Sequence, residues 1–415
     1  MDLFRREWPK VVASLARTWG DLDLAEDAAG EAFARAVERW PVEGRPPNPG
    51  GWLMTVARNQ AIDRQRREAT RDQRQRSAQV WLATRKEQPA EEVEMVEVGP
   101  MADDRLRLVF TCCHPALAPE ARVALTLRLI AGLSTAEVAR AFWVPEATMA
   151  QRLVRAKRKI AAAHIPYRVP APADLPERLA GVLRVVYLVF REGYAPSGGD
   201  DLVRVDLCDE AIRLARLLHE LLDDQSEVGG LLALLLLQHS RAAARTDAGG
   251  RLVLLADQDR RRWDHRAIVE GTQLAARALA AGRGPYAVQA GIAACHAAAP
   301  SGDAVDWPTI ARLYAELARL EPTPAVALNR AVAVAEVEGP AAGLAMIDSL
   351  LGTAAGAALA RTSSAPHVAR GDLLARLGRS PAAAEAFRRA LELAPTQPER
   401  DFLAARLGGL EGPAR

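Results

Sequence analysis

Residues 132–159 read GLSTAEVARAFWVPEATMAQRLVRAKRK, and this stretch predicts two short helices joined by a tight turn. Ser134 is a favourable helix N-cap, and Glu137 three residues later completes a capping box. Pro145 stands at the start of the second helix, where proline is tolerated because its missing N–H is not needed. The spacing is typical of a helix-turn-helix, in which the second helix enters the major groove of DNA.

The second of these helices has an apolar side and a polar side. Helical periodicity places Met149, Leu153 and Ala156 inside. The residues that we expect to contact DNA lie on the other side and in the basic tail: Thr148, Gln151, Arg152, Arg155, Lys157 and Arg158, followed by Lys159. The alternative is an ordinary helical hairpin with a solvated basic face, but the capped turn and the one-sided arginines favour DNA binding.

A second stretch, residues 48–67, reads NPGGWLMTVARNQAIDRQRR and predicts a helix from Trp52 to about Arg67. Arginine and asparagine can hold phosphates and base edges, and an aromatic ring beside them can stack on an exposed base. The candidate contacts to unpaired DNA are Trp52, Arg58, Asn59, Asp63, Arg66 and Arg67. Taken alone, this stretch could equally be a charged surface helix with Trp52 in the core.

A third stretch, residues 21–40, reads DLDLAEDAAGEAFARAVERW and predicts a helix with an apolar face that includes Phe33, Val37 and Trp40. The outer face carries the candidates for docking a protein partner: Asp23, Glu26, Asp27, Glu31 and Arg35. The simpler interpretation is a helix whose acids lie near its positive end and whose bases lie near its negative end.

Composition and charge limit the class of protein. The 415 residues are 49% hydrophobic and 26% charged, and the abundance of alanine and leucine favours an all-α fold. Residues 1–86 carry a net charge of +4, residues 87–104 carry −7 and residues 105–168 carry +8, which suggests contact with a polyanion. We predict no membrane span, since no run of 18 apolar residues occurs, and the four cysteines and the absence of a signal peptide favour the cytoplasm.

No reactive constellation emerges, so we expect no enzyme activity, no catalytic residue, no cofactor and no metal. Adjacent Cys112 and Cys113 are poorly placed for a tetrahedral zinc site, and we interpret them as structural thiols, with redox sensing as the alternative. The run Arg260–Arg262 beside Trp263 is interpreted as a solvated charged face, with an anion site as the alternative.

The chain divides into four predicted parts: an N-terminal module (1–70), an acidic linker (71–103), a helix-turn-helix module (104–165) and a helical C-terminal domain (175–415). We expect the two modules to be held apart, each grasping one DNA element. Late in the C-terminal domain, six positions match a tetratricopeptide repeat: Gly371, Leu374, Ala383, Phe387, Ala390 and Pro395.

The three stretches, in this order, resemble the extracytoplasmic-function (ECF) sigma factors of bacterial RNA polymerase, over about residues 1–165. The resemblance implies that residues 21–40 bind the clamp helices of the polymerase β′ subunit. It implies that residues 50–67 open and read the −10 promoter element, that residues 132–159 read the −35 element, and that the β flap is a further contact. Residues 147–152 read ATMAQR where the family usually has Gly-Thr-Val-Lys-Ser-Arg, so the −35 sequence read here would differ from the family's typical one.

The long helical tail is similar to the subgroup of these factors that carries a C-terminal tetratricopeptide-like extension. We therefore expect a promoter-specificity factor whose partners are RNA polymerase core and promoter DNA, and whose C-terminal domain regulates it or binds a protein partner. The alternative is a polymerase-independent helix-turn-helix regulator with a ligand- or protein-sensing helical domain.

Overall fold

The computed structural model describes residues 2–80, 101–142, 144–198 and 200–411. These residues form helices and connecting loops, with no β-strand among them, which confirms the all-α fold class. They divide into two compact units, unit 1 (residues 1–185) and unit 2 (residues 186–415).

Unit 1 contains both of the modules predicted to bind nucleic acid. Its elements are α1 (Asp2–Trp19), α2 (Leu22–Glu43), α3 (Pro49–Val80), α4 (Met101–Cys112), α5 (Pro119–Leu125), a π-helical turn (Thr126–Ile130), α6 (Thr135–Ala141), α7 (Glu146–Ala162) and the first half of α8 (Leu175–Tyr194). Helix α3 is longer than the sequence analysis predicts: its backbone stays helical to Val80, so residues 71–80 of the predicted linker are helical. Residues 81–100 of that linker lie outside the described residues.

Capping residues set the starts of two helices in unit 1. The Asp21 carboxylate accepts from the backbone N–H groups of Asp23 (2.8 Å) and Leu24 (3.0 Å), which fixes the start of α2. The Ser134 hydroxyl accepts from the Glu137 N–H (3.2 Å), while the Glu137 carboxylate accepts from the Ser134 N–H (2.7 Å). The predicted capping box is therefore confirmed at the start of α6.

The two modules pack against each other within unit 1, and the expectation that they are held apart is not met. Helix α1 buries Trp8 almost completely, at 1% exposure, partly beneath the turn at Gly132. Gly132 has a φ of +74°, and a Cβ there would lie 3.2 Å from the Trp8 ring. Tyr167 OH donates to Ala13 O (2.8 Å) across the same boundary. The physical reason is that α1 packs against α4 and the π-helical turn as well as against α2 and α3, so both modules cover its buried apolar side chains.

Val37 departs from the predicted apolar face of α2. It is 75% exposed, whereas Ala32, Phe33 and Ala36 are buried. Neighbouring helical residues differ by about 100° around the axis, so Val37 lies one step beyond the buried stripe.

Unit 2 continues the all-helical pattern. Its helices after α8 are α9 (Val205–Leu221), α10 (Ser226–His239), α11 (His265–Gly282), α12 (Pro285–Ala298), α13 (Trp307–Leu320), α14 (Pro324–Glu338), α15 (Pro340–Leu351), α16 (Ala354–Thr362), α17 (Ala365–Arg376), α18 (Ser380–Leu393) and α19 (Gln397–Glu411). Within the described residues, no single helix is both long and apolar enough to cross a membrane. Helices α15 and α16, which meet at a bend of 97°, have the length and the apolar composition of a membrane span only when they are taken together.

The last repeat-like helix pair packs as its sequence predicts. Gly371 on α17 faces the Phe387 ring on α18, and a Cβ at Gly371 would lie 3.0 Å from that ring. Leu374, Ala383 and Ala390 are buried in the same cluster. The missing side chain at Gly371 thus allows the two helices to approach closely around the Phe387 ring.

Candidate nucleic-acid interface

Helix α3 has a buried side and an opposite polar side. Leu53, Ala57 and Ala61, at a spacing of four residues, are fully buried. At 100° per residue, Asn59 and Arg66 project from nearly the opposite direction, with Asp63 beside them. All three are exposed, as are Arg58 and Arg67. We call the stripe of Trp52, Asn59, Asp63 and Arg66 the α3 face.

Trp52 stands at the N-terminal end of the α3 face. It is half-buried and packs edge-on against Trp40 of α2, with ring centroids 5.4 Å apart. This contact holds the Trp52 ring in place while part of it stays accessible for stacking. Arg58 is about 100° away from Asn59 around the helix, so it flanks the α3 face and does not belong to the stripe.

Helix α7 presents the second polar surface, which we call the α7 face. Met149, Leu153, Ala156 and Ile160 are buried, as the helix-turn-helix pattern predicts. Gln151, Arg155 and Arg158 are exposed, while Thr148 and Arg152 are half-buried. The α7 face thus keeps both amide and guanidinium groups available for base edges and phosphates.

Lys157 differs from its neighbours on α7, because its side chain points back to α2. Its ammonium lies 2.9 Å from Glu26 Oε2 and also pairs with Asp23. Arg128 Nε, in the π-helical turn, lies 2.6 Å from Glu26 Oε1. We call Asp23, Glu26, Arg128 and Lys157 the charged seam.

Three of the four residues of the charged seam are largely shielded from water, whereas the side chain of Asp23 is 52% exposed. The side chains of Lys157, Glu26 and Arg128 are 11%, 13% and 18% exposed. Burial alone would lower the pKa of Lys157, but the charges of Glu26 and Asp23 outweigh it and raise that pKa. In this arrangement, Lys157 is therefore a charged partner of α2, and the sequence analysis, which predicts a DNA contact, missed that pairing.

The other predicted docking residues of α2 contact α3. Asp27 pairs with Arg64. Gln60, in the amide orientation that satisfies both neighbours, donates to Glu31 Oε2 (2.7 Å) and accepts from Arg35 Nε (3.2 Å). Asp27, Glu31 and Arg35 are nevertheless all exposed, so their outer surfaces remain accessible.

Arg128 is a charged-seam residue that the sequence analysis missed. Its guanidinium also donates to Leu133 O (2.8 Å) and lies 5.2 Å from the Trp8 ring centroid. The one local signal is the lone charge in the apolar run of residues 123–133, where a cation needs a partner.

The thiols beside the helix-turn-helix are buried. Burial raises the pKa of Cys113 to about 11 and raises that of Cys112 as well, so both are neutral at physiological pH. Among the described residues, no group of three or more His, Cys, Asp or Glu side chains could hold a metal ion.

Three family models match the chain, in the order of its elements. Residues 3–71 match sigma-70 region 2, and residues 107–160 match sigma-70 region 4. Residues 178–279 match a family of unknown function, DUF6596. Over its whole length, the chain is similar to the uncharacterized protein R00370 of Rhizobium meliloti (strain 1021), with 45% identity over 403 residues that cover 97% of this chain and 93% of the relative.

Proposed function

The chain belongs to the sigma-70 family, with the region 2, region 4 and C-terminal extension of an ECF-type sigma factor, and on that premise we propose that it binds RNA polymerase core and melts promoter DNA. Members of this family act in promoter recognition. The observation that carries the proposal is the pair of exposed polar faces on α3 and α7 within one compact unit.

The α3 face is suited to unpaired −10 DNA. Trp52 offers a ring for stacking on a base, and Asn59 offers an amide for a base edge. Arg66 and Arg67 add cations for the phosphates. Trapping flipped bases in this way needs no covalent chemistry, in keeping with a factor that is not itself an enzyme.

The α7 face is suited to the major groove of the −35 element. Gln151 and Arg152 carry the groups that bind adenine and guanine edges, and Thr148 lies near the N-terminus of the same helix. Arg155 and Arg158 would meet flanking phosphates.

The outer surface of α2 would bind the clamp helices of the polymerase β′ subunit, and region 4 would bind the β flap. Asp27, Glu31 and Arg35 are exposed for this role, whereas Glu26 and Asp23 lie in the charged seam. We infer that the charged seam opens when polymerase binds, because Lys157 and Arg128 cover Glu26, which is only 13% exposed and so offers little surface to a polymerase residue.

Binding to purified bacterial core polymerase tests the proposal directly. We expect the labelled chain to bind core, and we expect Asp27→Ala with Glu31→Ala to weaken that binding. Glu38→Ala, an exposed acid of the same helix, is the matched control and should bind normally. Failure of the natural chain to bind core, together with tight promoter binding in a gel shift without polymerase, would favour a polymerase-independent regulator instead.

For unit 2 we propose control of unit 1 from within the same chain. A repeat-like helical stack usually offers a surface for another segment or protein, and here that stack is fused to the factor it would control. A chain that ends at Val185, the last residue of unit 1, should support more promoter-dependent transcript than the full chain. Loss of transcript on truncation would show that unit 2 supports activity and would contradict this proposal.

A further inference from the structure

Three arginines of unit 2 stand together. Arg241 and Arg245 follow α10, and Arg260 begins the 3-10 turn Arg260–Arg262. None of the three forms a salt bridge within the described residues, whereas other arginines of unit 2, such as Arg213, Arg216 and Arg283, do so. We call them the arginine cluster, and all three fall within the segment that matches DUF6596.

Aromatic rings lie against all three guanidinium groups. The Arg245 guanidinium lies 4.1 Å from the Tyr194 ring centroid, and that of Arg241 lies 5.7 Å from the same ring. The Arg260 guanidinium lies 4.4 Å from the Trp263 ring centroid. A ring that covers the flat side of a guanidinium leaves the N–H edges to bind something else.

Hydrogen bonds to backbone carbonyl groups bring the turn that carries Arg260 to the segment that carries Arg241. The Asp264 N–H donates to Ser240 O (2.7 Å), and Arg262 Nη1 donates to Thr246 O (3.1 Å). Arg260 Nη1 donates to His296 O (2.9 Å), which adds α12 to the same place. The interpretation of residues 260–262 as one solvated face is therefore wrong for Arg260, while Arg261 is 91% exposed and pairs with Asp259.

Several buried polar groups at this place lack a hydrogen-bond partner. Arg260 Nη2, Tyr194 OH and His296 Nδ1 are all buried and make no hydrogen bond within the described residues. Such groups are nearly always satisfied in folded proteins, so a missing acceptor is indicated. Burial, together with the nearby charges of Arg241 and Arg260, lowers the pKa of His296 to about 4, as expected in a field that is strongly positive.

The charge balance defines the ligand. Among the described residues, Glu399 is a carboxylate that interacts with Arg245, without a salt bridge to it. Three guanidinium groups and one carboxylate leave an excess of about two positive charges, which a dianion would neutralise. We propose that the arginine cluster, with Tyr194 OH and His296 Nδ1, binds the phosphate group of a small ligand.

Titration calorimetry of the full chain with inorganic phosphate, in a phosphate-free buffer, tests this site. We expect one saturable site, with sulfate competing and acetate competing poorly. Arg241→Gln and Arg260→Gln should each weaken binding about 10-fold or more, since each removes a charge-assisted hydrogen-bond donor. Arg241→Lys, which keeps the charge, should recover part of the affinity.

Arg261→Gln is the matched control, because Arg261 is adjacent in sequence but faces solvent; it should bind phosphate normally. Equal losses in Arg261→Gln and Arg241→Gln would show non-specific attraction and overturn the proposal. So would the absence of saturable binding below about 10 mM phosphate, or an Arg241→Gln variant that binds as tightly as the natural chain. The side chain of Arg241 makes no hydrogen bond within the described residues, so the Arg241→Gln variant keeps the test valid even if Arg260→Gln misfolds. These outcomes do not depend on polymerase binding.

Discussion

The contact between Glu26 and Lys157 offers the most direct test of how the two modules are held together. We take Glu26→Gln and Lys157→Met, singly and together, as a double-mutant cycle. Exposed ion pairs contribute about 0–1 kcal/mol, whereas removing one partner of a buried pair costs about 3–5 kcal/mol. With side chains that are 13% and 11% exposed, the pair should fall between these limits, and we expect a coupling free energy of about 1–3 kcal/mol.

Alkylation of Cys112 measures this free energy in the intact chain. Cys112 is fully buried on α4, close enough to Glu26 for that charge to raise the pKa of its thiol. When the two modules separate and close again faster than the thiol is alkylated, the alkylation rate reports the fraction of molecules in which the modules are separated and Cys112 is exposed. Each single variant should therefore label faster, and a coupling of 1–3 kcal/mol corresponds to about 5- to 150-fold in rate. Tandem mass spectrometry, with fragment ions from cleavage between Cys112 and the adjacent Cys113, distinguishes Cys112 from the other three cysteines.

Asp27 and Arg64 form the matched control pair, since Asp27 lies on the same helix and the two side chains are 52% and 44% exposed. Their cycle, Asp27→Asn with Arg64→Gln, should give a coupling below about 1 kcal/mol and leave Cys112 labelling almost unchanged. A coupling for Glu26 and Lys157 no larger than that of the control pair would refute the reasoning. The contact between the modules would then rest on the apolar packing around Trp8.

Four further outcomes are expected. Asn59→Ala should reduce promoter opening, measured by permanganate reactivity of the −10 region, and normal opening would remove Asn59 from this role. Arg152→Ala should weaken upstream promoter binding by the holoenzyme by about 1–3 kcal/mol at the base it contacts, measured by competition with mutated −35 sequences. Burial lowers the pKa of His296 to about 4, so as the pH falls below about 6.5 the residue becomes protonated first in the unfolded chain. The free energy of unfolding should therefore fall by about 3 kcal/mol between pH 6.5 and pH 4 and be unaffected by His296 above pH 6.5. In urea unfolding, the stability of His296→Gln should depend less on pH in this range. Gly371→Val should destabilise unit 2 by about 1–3 kcal/mol in urea unfolding, because the new side chain meets the Phe387 ring.

Local features of the fold could be predicted from the sequence because neighbouring residues encode them. The capping box at Ser134, the cap at Asp21 and the buried stripe of α7 each depend on residues within about one or two turns. The end of α3 was harder to predict, since the polar residues after Arg67 show no apolar stripe and the helix continues to Val80 without one.

The sequence by itself determined that this chain is all-helical, that it carries three surfaces in the order of a sigma factor, and which side chains those surfaces present. Only the tertiary structure decided that Lys157 faces Glu26 and not the solvent, that Arg128 joins them, and that Arg241, Arg245 and Arg260 gather near Tyr194 and His296. Glu26 and Lys157 are 131 residues apart in the chain. Periodicity and capping act over a few residues, whereas the pairing of distant charges depends on how complete apolar faces pack, which no short stretch of sequence specifies.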